Sequence, residues 1–332
     1  SESVQVAILL HDIGHGPFSH ALEYSILKDV HHEQLSLLLM EHLNKTFNGR
    51  LDLAIRIFTN KYERKFFHQL VSSQLDMDRL DYLQRDCYFT GVGEGNVGVK
   101  RILSMLDVHD DQIVVEEKGI YSIENFLTAR RLMYWQVYLH KTTVSTEHML
   151  TKVIQRARWL VGRKIEVFAS PGLGLLLNST LTIKDFQNSP QYLKAFASLD
   201  DFDIWGAIKI WAHHPDKVLK ELSQRILERN LFKTDFSKKP LSENKINKIR
   251  SAIQEKMGLS AEDVDFMYVY GNVTNAGYAL SEEESINIKT KKGKIIDVAK
   301  ASDLPNVKAL TKVVRKFYIS YPKDILAKKD RD

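Results

Sequence analysis

The sequence predicts a mainly α protein with a small α+β C-terminal part. Three observations carry this. From residue 1 to about 160, segment after segment places apolar residues at helical spacing. Residues 160–260 continue the pattern, broken at Pro171-Gly172, Pro190, Pro215 and Pro240. From about residue 264 the chain changes to short β-branched and aromatic runs.

The elements follow in order. Val4 to Leu10 is apolar and suits a helix. Leu35 to Leu43 is densely apolar, and Phe66 to Asp86 has helical periodicity with no Gly or Pro. Gly91, Gly93, Gly95 and Gly98 mark a loop. Ile113-Val114-Val115 and Ile120-Tyr121 flank Lys118-Gly119 and read as a short hairpin. Ser122 is placed to cap a long helix from Ile123 past His140. Near the C-terminus, Phe266–Tyr270, Ile286–Lys289 and Ile295–Val298 read as strands, with a turn at Lys291–Lys294. Val313-Val314 and Phe317-Tyr318-Ile319 suit one more. On this reading the 332 residues fall into a core (1–160), a helical extension (161–260) and a small basic α+β region (261–332).

Composition narrows the class. A hydrophobic fraction of 44% with 27% charged residues is that of a globular domain able to bury a core. The single cysteine, Cys87, excludes an intramolecular disulfide framework and fits a reducing, cytoplasmic setting. The longest apolar runs, such as Ala7–Leu10, are too short to span a membrane, and no signal peptide is visible. The net charge of +5 is unevenly placed. Residues 286–332 hold 13 Lys/Arg against 5 Asp/Glu, which leaves 34 against 37 for residues 1–285. The basic region offers a contact for nucleic acid or polyphosphate, although lysine-rich segments more often serve solubility.

Three constellations carry chemistry. In Ala7-Ile8-Leu9-Leu10-His11-Asp12-Ile13-Gly14-His15-Gly16-Pro17-Phe18-Ser19-His20, three of the 12 histidines fall within ten residues. An apolar helix runs into a His-Asp pair, and Gly14, Gly16 and Pro17 then set His15 on a tight turn. Imidazole and carboxylate at one helix end can reach one cation, and mixed N/O ligation suits Mn, Fe, Ni or Zn. A lone His-Asp pair is usually a helix cap; His31-His32-Glu33 and a second acidic cluster argue for more. That cluster, Asp76-Met77-Asp78-Arg79-Leu80-Asp81-Tyr82 with Arg85-Asp86, puts Asp78, Tyr82 and Asp86 on one helix face. The third, Arg130, Tyr134 and Tyr138 followed by His140-Lys141, offers a guanidinium to phosphate and phenols to a sugar or base.

With these segments the chain resembles the HD-domain metal-dependent phosphohydrolases, and among them the deoxynucleoside triphosphate triphosphohydrolases (dGTPase-like enzymes). The resemblance is good from residue 1 to about 145 and patchy to about 235, where Arg229-Asn230-Leu231-Phe232-Lys233 is a weaker match. It implies an HD-domain helical bundle and a divalent metal ion (Mn, Fe, Ni, Zn or Mg). The ligands would be His11, Asp12 and Asp78. It implies His15 as catalytic acid/base at the α-phosphate, supported by His32 and Glu23. His20, Arg79 and Arg130 would hold phosphates, Tyr82 and Tyr138 would pack on the sugar, and Asp86 would accept from the 3′-hydroxyl. Arg79 stands where the animal enzyme has lysine, Glu23 where it has aspartate, and Tyr134 where it has histidine.

The family also takes a further metal-ligating histidine, and an arginine and a glutamine of its pocket, from a helix upstream of the His-Asp pair. The opening at Ser1, within an apolar helical pattern, is read as continuing such a segment, the alternative being a protein that lacks these ligands. The expected function is metal-dependent hydrolysis of dNTPs to deoxynucleoside plus triphosphate. The alternatives are a phosphatase or phosphodiesterase on another nucleotide, and a non-catalytic nucleotide- or nucleic-acid-binding protein. The expected partners are a nucleotide substrate, a nucleotide effector and further copies of the chain, as a dimer or tetramer.

Overall fold

A computed structural model describes residues 2–19, 25, 27, 30–278 and 285–326. It is mainly helical, with two small sheets. The chain forms two compact units. One gathers residues 1–11, 40–140 and 274–315, and the other gathers residues 12–39, 141–273 and 316–332.

The first unit packs Leu80, Leu83, Phe126, Leu127 and Met133 with Tyr278, Ile288 and Val307 in one core. The expected helix over residues 66–86 is two helices, Lys65–Val71 and Met77–Thr90. The break lies at Asp76, whose buried carboxylate caps the second helix by accepting from Arg79 N. Gly91, at φ 71°, closes that helix in the left-handed conformation.

The hairpin also differs from expectation. It pairs Leu106–His109 with Gln112–Glu116, and its turn is Asp110-Asp111, both at positive φ. Gly119 is not a turn glycine. A Cβ there would lie 2.7 Å from Val115 Cγ1 and 3.0 Å from Met105 Cβ, so it serves close packing. The helix after it is Ile120–Met133, which places Ser122 inside and not at the cap. That helix ends before His140, in a π-helical turn over Tyr134–Tyr138. Such turns recur at functional sites. Asn287–Lys289 adds parallel to Gln112–Glu116, and Ile295–Asp297 pairs antiparallel with it, which gives a four-stranded sheet. Lys289 of the basic region pairs with Asp107 at 2.8 Å.

The second unit is built around the helix Lys141–Gly162, whose Val153, Ile154 and Ala157 are fully buried with Trp211, Leu219, Leu222 and Ile319. Pro171 and Pro190 break the helical pattern by opening the helices Pro171–Leu177 and Pro190–Ala197. Arg156 is buried and ion-paired with Asp216 and Asp263 at 2.6 and 2.7 Å. A three-stranded sheet runs in the order Lys233–Ser237, Val314–Tyr321, Val269–Asn275, with its first pair antiparallel from Lys233↔Tyr321 to Ser237↔Phe317. The C-terminal strands thus divide between the two sheets.

Candidate active site

The boundary between the units passes through the His11–Asp12 peptide bond, and the site residues divide between them. In the first, His11 follows the helix Glu2–Leu10. Its Nδ1 lies 2.6 Å from the Ile8 carbonyl. A carbonyl accepts only from a protonated Nδ1, and in the neutral ring this leaves the lone pair on Nε2. Nε2 lies 3.9 Å from Asp78 Oδ1. Two ligand atoms each ~2.1 Å from one ion stand roughly 3–4 Å apart, so this pair fits a divalent cation. The bond from Nδ1 to a carbonyl is the usual outer support of a metal-ligating imidazole.

Asp78 sits in the first turn of the helix Met77–Thr90, next to Arg79. Burial works against the charge on Arg79, and the Asp76 carboxylate beside it more than offsets this, so its pKa is raised. One turn on, Tyr82 has its phenol pKa pushed up by burial, against the opposing pull of Arg79 and Arg130. Tyr138, on the π-helical turn, donates to Asp86 Oδ2 at 2.5 Å. Burial and that bond push the Tyr138 pKa up, so the phenol stays a donor. The Tyr82 and Tyr134 rings both meet the Tyr138 ring edge-on, at 6.3 and 5.3 Å.

Arg130 is the anomaly. Its Nε and Nη1 are buried and have no hydrogen-bond partner among the described residues. Buried guanidinium donors left unmet are costly unless an anion completes them.

In the second unit, Asp12, His15 and His32 bring ligand atoms within 4.8 Å of one another. His15 Nε2 is 3.6 Å from Asp12 Oδ1, and its Nδ1 is 3.1 Å from Ser19 Oγ. The His15 and His32 rings stack at 4.0 Å. His32 Nε2 also lies 3.4 Å from Glu33 Oε1. Phe18 and Ser19 adopt positive φ, 54° and 49°, unusual for side-chain-bearing residues and typical of strained functional loops. The strain is held by Phe18 N donating to Asp201 Oδ1 at 2.9 Å, and by the Phe18 ring edge-on to Trp205. Beside the two histidines is a mainly apolar pocket reaching Leu27, Val30, Leu35 and Phe196. His20 and Glu23 lie outside the described residues.

The HD domain pattern matches residues 1–86, and the HD associated region matches residues 97–163. The crystal structure of a phosphohydrolase from Bacteroides thetaiotaomicron superimposes with a TM-score of 0.91 at 51% identity, covering 96% of this chain and 79% of its own. The uncharacterized protein YwfO of Bacillus subtilis is 31% identical over 339 residues, which is 96% of this chain and 73% of YwfO. The chain belongs to the HD-domain phosphohydrolase family.

This HD phosphohydrolase is also similar to the SAMHD1-homologue deoxynucleoside triphosphate triphosphohydrolase of Dictyostelium discoideum. That match is 31% identical over 172 residues, covering 46% of this chain and 33% of the relative. The chain spans about half to six tenths of the length of three further curated relatives.

Two residues outside the constellations' assigned roles also shape the site, Asp76 and Ser36. Asp76 had a visible signal, an Asp three residues before Arg79 at a helix start. Ser36 had none, because its contact with Gly14 N joins residues 22 apart.

Proposed function

We propose that this HD phosphohydrolase catalyses divalent-metal-dependent hydrolysis of deoxynucleoside triphosphates to deoxynucleoside and triphosphate. The observation that carries the reading is the orphaned guanidinium of Arg130, on the same unit as the His11–Asp78 pair, Arg79 and the Tyr138–Asp86 bond. Residues 1–285 carry a net charge of −3 (34 basic against 37 acidic), so phosphate affinity must come from locally placed cations. Arg130 and the terminal nitrogens of Arg79 supply them.

The proposed metal ligands are His11, Asp78 and the chain-adjacent Asp12, and the bound ion would polarise a phosphoryl oxygen and acidify water. The arginines spread the phosphate charge and hold the chain of phosphates. His15, oriented by Asp12 and Ser19, transfers the proton as water adds at the α-phosphorus and the bond to the 5′-oxygen breaks. His32 keeps the His15 ring in place by stacking. Tyr82 and Tyr138 flank the sugar, and Asp86 accepts from its 3′-hydroxyl.

With Mn²⁺ and each dNTP in turn, the protein is expected to release deoxynucleoside and triphosphate in equal amounts, resolved by ion-exchange chromatography. Cleavage of a nucleoside monophosphate or cyclic dinucleotide with no dNTP turnover would replace this reading with the phosphatase or phosphodiesterase one.

Arg130→Met separates binding from stability. Removing a half-buried cation with two unmet buried donors should leave the ligand-free melting temperature no lower than wild type, since such donors cost about 1–3 kcal/mol. The same change should weaken nucleotide binding ~10-fold or more. Calorimetry with a non-hydrolysable dNTP, beside thermal melts, checks both.

A further inference from the structure

We infer that Asp76 is a positioning residue for the anion-binding edge of Arg79, a role that rests on the phosphate-site reading above. Asp76 is 3% exposed. Its Oδ1 accepts from Arg79 N at 2.7 Å, and its Oδ2 accepts from Ser73 N and Arg79 Nε, both at 3.0 Å. Arg79 Nε also lies 2.7 Å from the Ser73 carbonyl. One short loop therefore commits the inner edge of the guanidinium, through Nε, to two acceptors. The two terminal nitrogens make no hydrogen bond among the described residues, and the side chain keeps 28% of its surface.

A guanidinium is a planar fork, so fixing Nε fixes the plane in which the other nitrogens present their protons. An unpinned arginine loses much rotamer freedom when it grips an anion; one already held loses less and binds more tightly. The same carboxylate caps the helix on which Asp78 stands. It thus sets the guanidinium in register with the first turn of the metal-ligand helix.

A helix cap alone would explain the bond to Arg79 N. It does not require the second oxygen to reach Nε, and this difference is testable. Asp76→Ser keeps an N-cap acceptor and removes the oxygen that holds Nε. Inorganic tripolyphosphate, with no metal added, serves as the probe by titration calorimetry on the full chain. Asp76→Ser is expected to weaken tripolyphosphate binding ~10-fold, close to the loss in Arg79→Ala. In the Arg79→Ala background the further change should be under about twofold, since Asp76 acts through that side chain. Mn²⁺ affinity, measured in parallel, should stay within about threefold.

Three results overturn the assignment: wild-type affinity in Asp76→Ser, an equal loss in both backgrounds, or an equal loss of Mn²⁺ binding. A wild-type chain that does not bind tripolyphosphate removes the phosphate site itself, and the role of Asp76 with it. That outcome is separable because it precedes any substitution.

Discussion

Replacing His11 by alanine is expected to lower Mn²⁺ affinity by at least ~100-fold and to remove phosphohydrolase activity with it. Loss of an outer-shell partner alone costs 10–100-fold in metal binding, and His11 is placed as a ligand. Its imidazole is prepared for that role. The Ile8 carbonyl takes the Nδ1 proton at 2.6 Å, fixing ring and tautomer, and Nε2 is left 3.9 Å from Asp78. The His11 side chain is mostly buried and bonded to Ile8 O, so its removal should lower the melting temperature of the metal-free fold by several degrees, and metal affinity is compared on the folded variant. Asp78→Asn is the companion change. It keeps the shape and removes the charge, so it should also weaken Mn²⁺ strongly with little effect on folding. Electron paramagnetic resonance of free Mn²⁺ measures both. Unaltered Mn²⁺ binding in His11→Ala would mean that the ion, if held, sits elsewhere.

The parts of this site that could be read from sequence are those whose geometry is local. The His-Asp pair at a helix end, and Asp78, Tyr82 and Asp86 at steps of four, follow from helical periodicity alone. Tyr138 follows from the same periodicity in another segment, and the structure joins it to Asp86 across 52 residues. What escaped depends on competition or on distance. Residues 66–86 have an unbroken helical pattern, yet Asp76 stops it by offering its carboxylate to the backbone of the next helix. Lys118-Gly119 reads as a turn, yet Gly119 is needed for space beneath Val115, and the turn falls to two aspartates that tolerate left-handed backbone. Asn287–Lys289 reads as a strand, but nothing local says that it pairs parallel with residues 114–116. The unmet donors of Arg130 are invisible in sequence, because they depend on what does not pack against them.

Gly14→Ala should be the most disruptive small substitution in the loop that carries His15. The reason is space and not backbone freedom, since Gly14 is not among the residues at positive φ. A Cβ at Gly14 would lie 2.2 Å from the His32 carbonyl oxygen, 2.3 Å from Ser36 N and 2.7 Å from Ser36 Oγ. Two of these are backbone atoms in the first turn of the helix His32–Thr46, so no side-chain rotation relieves the overlap; loop and helix must part by about 1 Å. Parting them stretches the 2.9 Å bond from Gly14 N to Ser36 Oγ, and Ser36 is fully buried. Overpacking of this kind costs ~1–3 kcal/mol and an unmet buried donor another ~1–3 kcal/mol, together roughly 3–5 kcal/mol. A loss of that size lowers the melting temperature by roughly 10 °C. It also separates the His15 and His32 rings, now 4.0 Å apart, so any folded fraction should have lost most of its turnover. Ser36→Ala isolates the hydrogen bond and should cost only about 1–2 kcal/mol. Gly93→Ala is the control, because a Cβ there meets nothing within 4 Å and its φ is not positive. Thermal melts of the three variants decide the matter. If Gly14→Ala melts with Gly93→Ala, the contact between loop and helix is looser than these distances state, and the stacked histidines must be held by other means.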